Sequence, residues 1–138
     1  MEAARNYLNR LNRPYEEEDL LIIAKLQMEL EEKCLSVKNV SLVICDTNLL
    51  VIKIWSIHKY QRCHPWIEEE LKKNLYHQYL LTNIDLPWED DPLREHPESR
   101  QLLFDRYQKD LIDMKANYEI VSGQGEQRFL KTLKLLSY

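Results

Sequence analysis

Blocks of apolar and polar positions alternate along the chain with two different periods, and the switch between them predicts helices and strands in turn. A first short helix is predicted from about Ala4 to Leu11, stopping near Asn12-Arg13-Pro14. Pro14 suits the first turn of a second helix, followed by Glu16, Glu17, Glu18 and Asp19 where the helix dipole favours negative charge. Leu20, Ile23, Leu26, Leu30 and Cys34 then recur at three- and four-residue steps, the spacing of one helical face, to about Lys33. Val40 to Cys45 is a compact apolar run rich in β-branched residues and ends at Asp46, which predicts a strand buried on both faces.

A third helix is predicted from about Asn48, carrying Leu50, Ile54 and Trp55, and a fourth from Trp66 to Asn74 after the break at Cys63-His64-Pro65. Tyr79 to Thr82 reads as a second strand, with Asp85 just beyond it, and the charged, proline-rich stretch from Asp85 to His96 as a loop. Pro97 opens a long helix with Leu103, Tyr107, Leu111 and Met114 on one face. Tyr118 to Val121 is a third strand, Ser122 to Gly125 a turn, and Glu126 to Leu136 a closing helix. Strands alternating with helices imply an α/β fold with a parallel sheet.

Composition narrows the picture. The 138 residues suffice for one domain, and 44% hydrophobic with 30% charged residues is a folded balance. Nineteen basic against 23 acidic residues give a net charge of −4, with no basic stripe, so nucleic-acid binding is not expected. No apolar run approaches the ~20 residues of a membrane span, and the first residues lack the apolar region of a signal peptide. The three cysteines, Cys34, Cys45 and Cys63, have no paired spacing and read as reduced thiols in the cytoplasm. His58, Cys63 and His64 lack a fourth ligand for zinc. Glycine occurs only at 123 and 125.

Ligands of open parallel sheets bind beyond the carboxyl ends of the strands, and three stretches fall there on this reading: Asp46-Thr47, Asp85 to Trp88, and Ser122 to Gly125. Asp46 either holds Mg²⁺ or accepts a hydroxyl proton, or caps the next helix. Arg94 and Arg100 flank a helix start, where the dipole disfavours cations. They either meet an anion such as a transferring phosphate or are neutralised by Glu95 and Glu98. Trp88 stacks on a planar ring or covers the edge of the core. Glu89, Asp90 and Asp91 bind a cation or stay solvated.

Three segments resemble NadR-type ribosylnicotinamide kinases: Asp46 to Ser56, Tyr79 to Arg94, and Arg100 with the Leu-Phe104 that follows it. Glu2 to Arg5 and Gln27 also fall where that family has similar residues, so the likeness covers nearly the whole chain and is most specific from Trp88 to Arg94. The resemblance implies a three-layer P-loop fold, a single kinase-like domain over 1–138 with a lid at about 85–100, and ATP with Mg²⁺ as cofactors. It implies transfer of the γ-phosphate of ATP to the 5′-hydroxyl of nicotinamide riboside. Asp46 matches the acidic residue after the Walker B-type strand, with Thr47 beside it as a Mg²⁺ candidate, and Asn48 replaces an often acidic residue. Arg94 and Arg100 match the catalytic lid. Trp88 and Asp91 belong to the lid motif and are substrate-side candidates. Ser122, Gly123 and Gly125 would lie beside adenine.

The family begins with a strand, a G-x-x-x-x-G-K-[ST] loop and a helix upstream of the segment matching Glu2 to Arg5. Such a loop needs glycines so that backbone N–H groups can surround phosphate, and none occurs before Gly123. The sequence therefore reads as a domain truncated at its N-terminus and inactive alone. Two alternatives are a non-catalytic, self-associating module derived from such a kinase, in which the chain forms a homo-oligomer, and a kinase for another nucleoside or small metabolite.

Overall fold

A computed structural model describes residues 3–73, 76–87 and 99–136. They are mostly helical with a small parallel sheet, and they divide into two compact units, Met1–Lys73 and Asn74–Tyr138.

The first unit consists of α1 (Ala3–Leu8), α2 (Glu17–Leu35), α3 (Leu49–Tyr60) and α4 (Pro65–Lys72), with α2 packed on α1 and α3, and α3 on α4. Leu20, Ile23, Leu49, Ile52, Ile54 and Ile67 are fully buried and form its core. Each such side chain contributes about 2 kcal/mol of transfer free energy. α2 begins three residues after the expected Pro14, because Asp19 folds back to accept the Glu16 N–H at 2.7 Å and so satisfies a donor at the helix start. Its buried stripe runs through Leu20, Ile23, Ala24, Gln27 and Glu31, whereas Leu26, expected on that face, is 40% exposed. Two polar residues can occupy this stripe because Gln27 Nε2 donates to Glu31 Oε1 at 2.8 Å and Gln27 Oε1 accepts the Ala3 N–H at 3.3 Å.

Helix ends in this unit follow from single residues. Asn48 caps α3 by accepting the Leu50 N–H at 3.0 Å and the Val51 N–H at 3.4 Å. Gln61 closes it in the left-handed conformation at φ 59°. At α4, Pro65 occupies the first position and His64 Nδ1 accepts the Trp66 N–H at 3.1 Å, so that ring nitrogen serves as a cap. The Arg62 guanidinium lies against the Glu17 carboxylate at 2.8 and 3.0 Å, and Lys59 Nζ sits 3.4 Å above the Tyr15 ring, which fix the entry to α2 on the end of α3.

The strand expected from Val40 to Cys45 is not formed, and Val40, Leu42 and Ile44 are 44%, 49% and 68% exposed. A strand exists only with a ladder partner, and among the described residues of this unit there is no other strand to supply one.

The second unit contains β1 (Tyr79–Thr82), α5 (Arg100–Asp113), β2 (Tyr118–Val121) and α6 (Gly125–Leu136). β1 and β2 pair in parallel from Tyr79↔Tyr118 to Thr82↔Val121, as the β-rich runs predict. Tyr79, Leu81 and Val121 are buried. The sheet among the described residues has these two strands, and the three-layer sheet that the resemblance implies is not shown by it. On α5, Leu111 is buried and Leu103, Tyr107 and Met114 are half-buried, the face expected; Pro97 lies outside the described residues. α5 ends in a Schellman motif, with the Ala116 N–H donating to Leu111 O and the Lys115 N–H to Ile112 O, both at 2.9 Å. Lys115 takes the left-handed position at φ 52°, where glycine is the usual residue.

Asp19 is a densely bonded carboxylate of the first unit. It is 1% exposed, and it accepts from Arg13 Nη1 at 2.6 Å, Arg13 Nη2 at 3.0 Å and the Tyr7 hydroxyl at 2.8 Å besides the Glu16 N–H. The Arg13 guanidinium, followed by the Glu16 N–H and the Tyr7 hydroxyl, outweighs burial and holds the carboxyl well below the usual range.

Two outcomes are expected. Asp19→Ala lowers the unfolding free energy by roughly 2–3 kcal/mol, read from urea midpoints at neutral pH. Because the folded carboxyl titrates below the unfolded one, its contribution is complete above about pH 4 and is lost as pH falls further, so native and variant midpoints converge in acid. Equal midpoints at neutral pH would contradict the assignment. Lys115→Gly raises stability by about 1 kcal/mol in thermal unfolding, and a lower melting temperature would show that the left-handed position is not strained.

Candidate functional site

Parallel pairing in register brings the carboxyl ends of β1 and β2 side by side, so the residues leaving Thr82 and Val121 share one edge. Asn83 extends the ladder by donating its N–H to Val121 O at 2.9 Å, while its Nδ2 donates to Ser122 Oγ at 3.0 Å. Two residues on, Asp85 Oδ2 accepts the Gly123 N–H at 2.6 Å and Oδ1 accepts from Arg128 Nη1 at 2.7 Å. Arg128 projects from the first turn of α6 and also donates to Gly123 O at 3.2 Å and, through Nη2, to Asn83 O at 3.4 Å. One carboxylate and one guanidinium therefore join the β1 exit, the β2–α6 turn and α6. The Gly123 N–H first, and then Arg128, hold the Asp85 carboxyl below its ordinary range against the opposing effect of burial.

Both glycines of the turn have positive φ. Gly123 lies at φ 107°, which L side chains rarely adopt, with Lys131 Nζ and the Arg128 backbone just beyond where a Cβ would stand. Gly125 lies at φ 50° with open space around the point where a Cβ would stand.

Of the site residues expected from sequence that fall in this unit, four are among the described residues. Ser122, Gly123 and Gly125 form the turn described above. Arg100, the first residue of α5, donates through Nη2 to Ile84 O at 3.1 Å and Leu86 O at 2.7 Å. It is thus drawn to the residues that follow β1, where carbonyl oxygens accept its charge. Trp88, Asp91 and Arg94 lie outside the described residues.

Asp46 and Thr47 belong to the first unit. They form a bend directly before the Asn48 cap of α3, with Asp46 exposed and no strand preceding it. Thr47 sits at φ 63°, a conformation that costs a β-branched residue on the order of 1–2 kcal/mol. Among the described residues no three of His, Cys, Asp and Glu converge to hold a metal ion. Mg²⁺ is commonly held through one or two carboxylates together with waters and substrate phosphates, and Asp46 with Thr47 offers one exposed carboxylate and a neighbouring hydroxyl. Burial and the adjacent Glu31 push the Cys45 thiol up to about 11.

Sequence reasoning missed Arg128. Its signal was a cation in the first turn of a helix, where the dipole opposes it, facing an aspartate just past a neighbouring parallel strand.

The parallel pair is consistent with a nucleotide-binding protein of the P-loop NTPase-like class. A family model described as "AAA domain" matches residues 1–128, and the chain belongs to that family. No curated protein and no solved structure matches the chain. No helix among the described residues is long and apolar enough to cross a membrane.

Proposed function

We propose that the second unit forms the base-side half of an adenine-nucleotide site in an ATP-dependent kinase of the ribosylnicotinamide type. The observation that carries this reading is the shared edge of β1 and β2, where Ser122 to Gly125 are tied to Asn83 and Asp85 beside open space at Gly125. Membership of the AAA domain family gives the nucleotide its independent support. In this reading β1 and β2 belong to a larger three-layer parallel sheet of a cytoplasmic protein, and adenine lies along the backbone of the turn.

By resemblance the acceptor is nicotinamide riboside, with Trp88 and Asp91 as its binding residues. The same resemblance assigns Arg94 and Arg100 to the transferring phosphate, and Asp46 to the role of base toward the 5′-hydroxyl or, with Thr47, of Mg²⁺ ligand. When bound, Mg-ATP provides the phosphoryl group and the cation that offsets its charge. The residues of this chain orient the base and the acceptor. Glycine stands only at 123 and 125, so a glycine-rich cradle for the β- and γ-phosphates is not among these residues. The affinity retained is that of the base.

Titration of the ¹⁵N-labelled chain with adenosine monophosphate tests this. Amide signals of Ser122 to Gly125 and of Asn83 to Asp85 are expected to shift together, with a dissociation constant of about 1 mM. Mg-ATP is expected to bind no more than severalfold tighter, and no phosphate should reach nicotinamide riboside. Shifts confined to residues 3–73, or none at 20 mM nucleotide, roughly twenty times the expected constant, would overturn the reading.

A further inference from the structure

The bonds around Asp85 are placed where a base-binding turn would need support. The turn from Ser122 to Gly125 has few side chains to define its shape, since two of its four residues are glycine. Glycine loses more conformational freedom on ordering than any other residue, so such a turn populates several shapes unless something outside it selects one. The selecting contacts come from 38 residues upstream. Asp85 Oδ2 holds the Gly123 N–H at 2.6 Å, and Asp85 Oδ1 holds Arg128, whose own Nη1 returns to Gly123 O at 3.2 Å. Gly123 thus has its N–H and its carbonyl oxygen fixed by one ion pair.

Arg128 is the half-buried member of this pair and Asp85 the exposed one. The Arg128 side chain is 15% exposed and that of Asp85 is 31% exposed. Arg128 is further held by Asn83 O, and its carbonyl accepts the Thr132 hydroxyl at 2.8 Å. A charge-assisted bond to an amide is stronger than a neutral one and directional, which suits it to fixing a peptide plane.

We propose that Asp85, acting through Gly123 and Arg128, is the positioning residue for the base-binding turn and sets its preference for adenine. This inference rests on the nucleotide reading above. Asp85 touches no ligand in it. Its role is to present the backbone of Gln124 and Gly125 in the single arrangement that pairs with one base edge and not another. Pre-organisation of this kind raises affinity by removing the ordering cost from the binding step.

The experiment compares the native chain with Asp85→Asn and Arg128→Lys, using adenosine, guanosine and cytidine as probes. NMR reports the Gly123 amide proton directly, independently of any nucleoside. In the native chain this proton is expected well downfield, as for an amide bonded to a carboxylate, and to move upfield in Asp85→Asn. Signals of β1, α5 and the remainder of α6 should keep their native positions, which shows the variant folded. Adenosine affinity is expected to fall roughly tenfold in Asp85→Asn and less in Arg128→Lys, with cytidine unchanged, so that discrimination collapses.

Unchanged adenosine discrimination in a folded Asp85→Asn variant would overturn the proposal, because the pair would then be structural only. A Gly123 amide that does not respond to the substitution would also overturn it, since the bond would be absent in solution. If the native chain shows the downfield amide and yet binds no nucleoside, the nucleotide reading fails and the positioning role falls with it. The intact Gly123 signal distinguishes that failure from loss of the pair itself. Loss of native signals throughout the unit in both variants would assign Asp85 to folding and reject a role in base selection.

Discussion

A parallel pair of short strands has no hairpin to hold it in register, and in the second unit the Asp85 carboxylate makes the connection that a turn makes in an antiparallel pair. Four ladder residues on each of β1 and β2 give few backbone bonds, and two strands alone are marginal in water. The Asp85–Gly123–Arg128 contacts close the carboxyl end of the pair. Arg100, bonded to Ile84 and Leu86 carbonyls, ties the start of α5 to the same stretch. The geometry of the candidate site is therefore set by charged groups bonded to backbone, with the apolar core of Tyr79, Leu81, Leu111 and Val121 behind it.

The first unit is stabilised differently. Its core is aliphatic, but the positions at which its helices begin are chosen by polar side chains: Asp19 for α2, Asn48 for α3 and His64 for α4. Asp19 also gathers Tyr7 and Arg13, so one carboxylate holds α1, the connection after it and α2 together. Asn48 acts as a cap whose amide oxygen accepts two backbone N–H groups, a role that an acidic residue at that position would also fill.

Much of this was legible in the sequence, and the exceptions have physical causes. β1 and β2 were readable because short β-branched and aromatic runs between turn residues fit a half-buried pleated surface. Val40 to Cys45 carries the same signal and forms no strand, since composition states only a preference and pairing needs a partner at the right place. The face of α2 was misassigned at Leu26 because periodicity counts apolar residues, whereas the buried stripe admits Gln27 and Glu31 once each satisfies the other. At the candidate site, the turn from Ser122 to Gly125 was readable from its glycines. Its bond to Asp85 was not, because the two are 38 residues apart and only the fold brings them together. Arg128 was missed for the same reason, since its partner Asp85 lies 43 residues away in sequence.

The chain thus combines a capped helical unit with a unit whose parallel strands end at a glycine turn held by an ion pair, within the AAA domain family. The account stands on adenine occupying that turn. Photolabelling with 8-azidoadenosine followed by peptide mapping measures this most directly. Saturable labelling within 118–128, competed by adenosine, is the result the account requires. Labelling confined to residues 3–73, or labelling that adenosine does not compete, would contradict it.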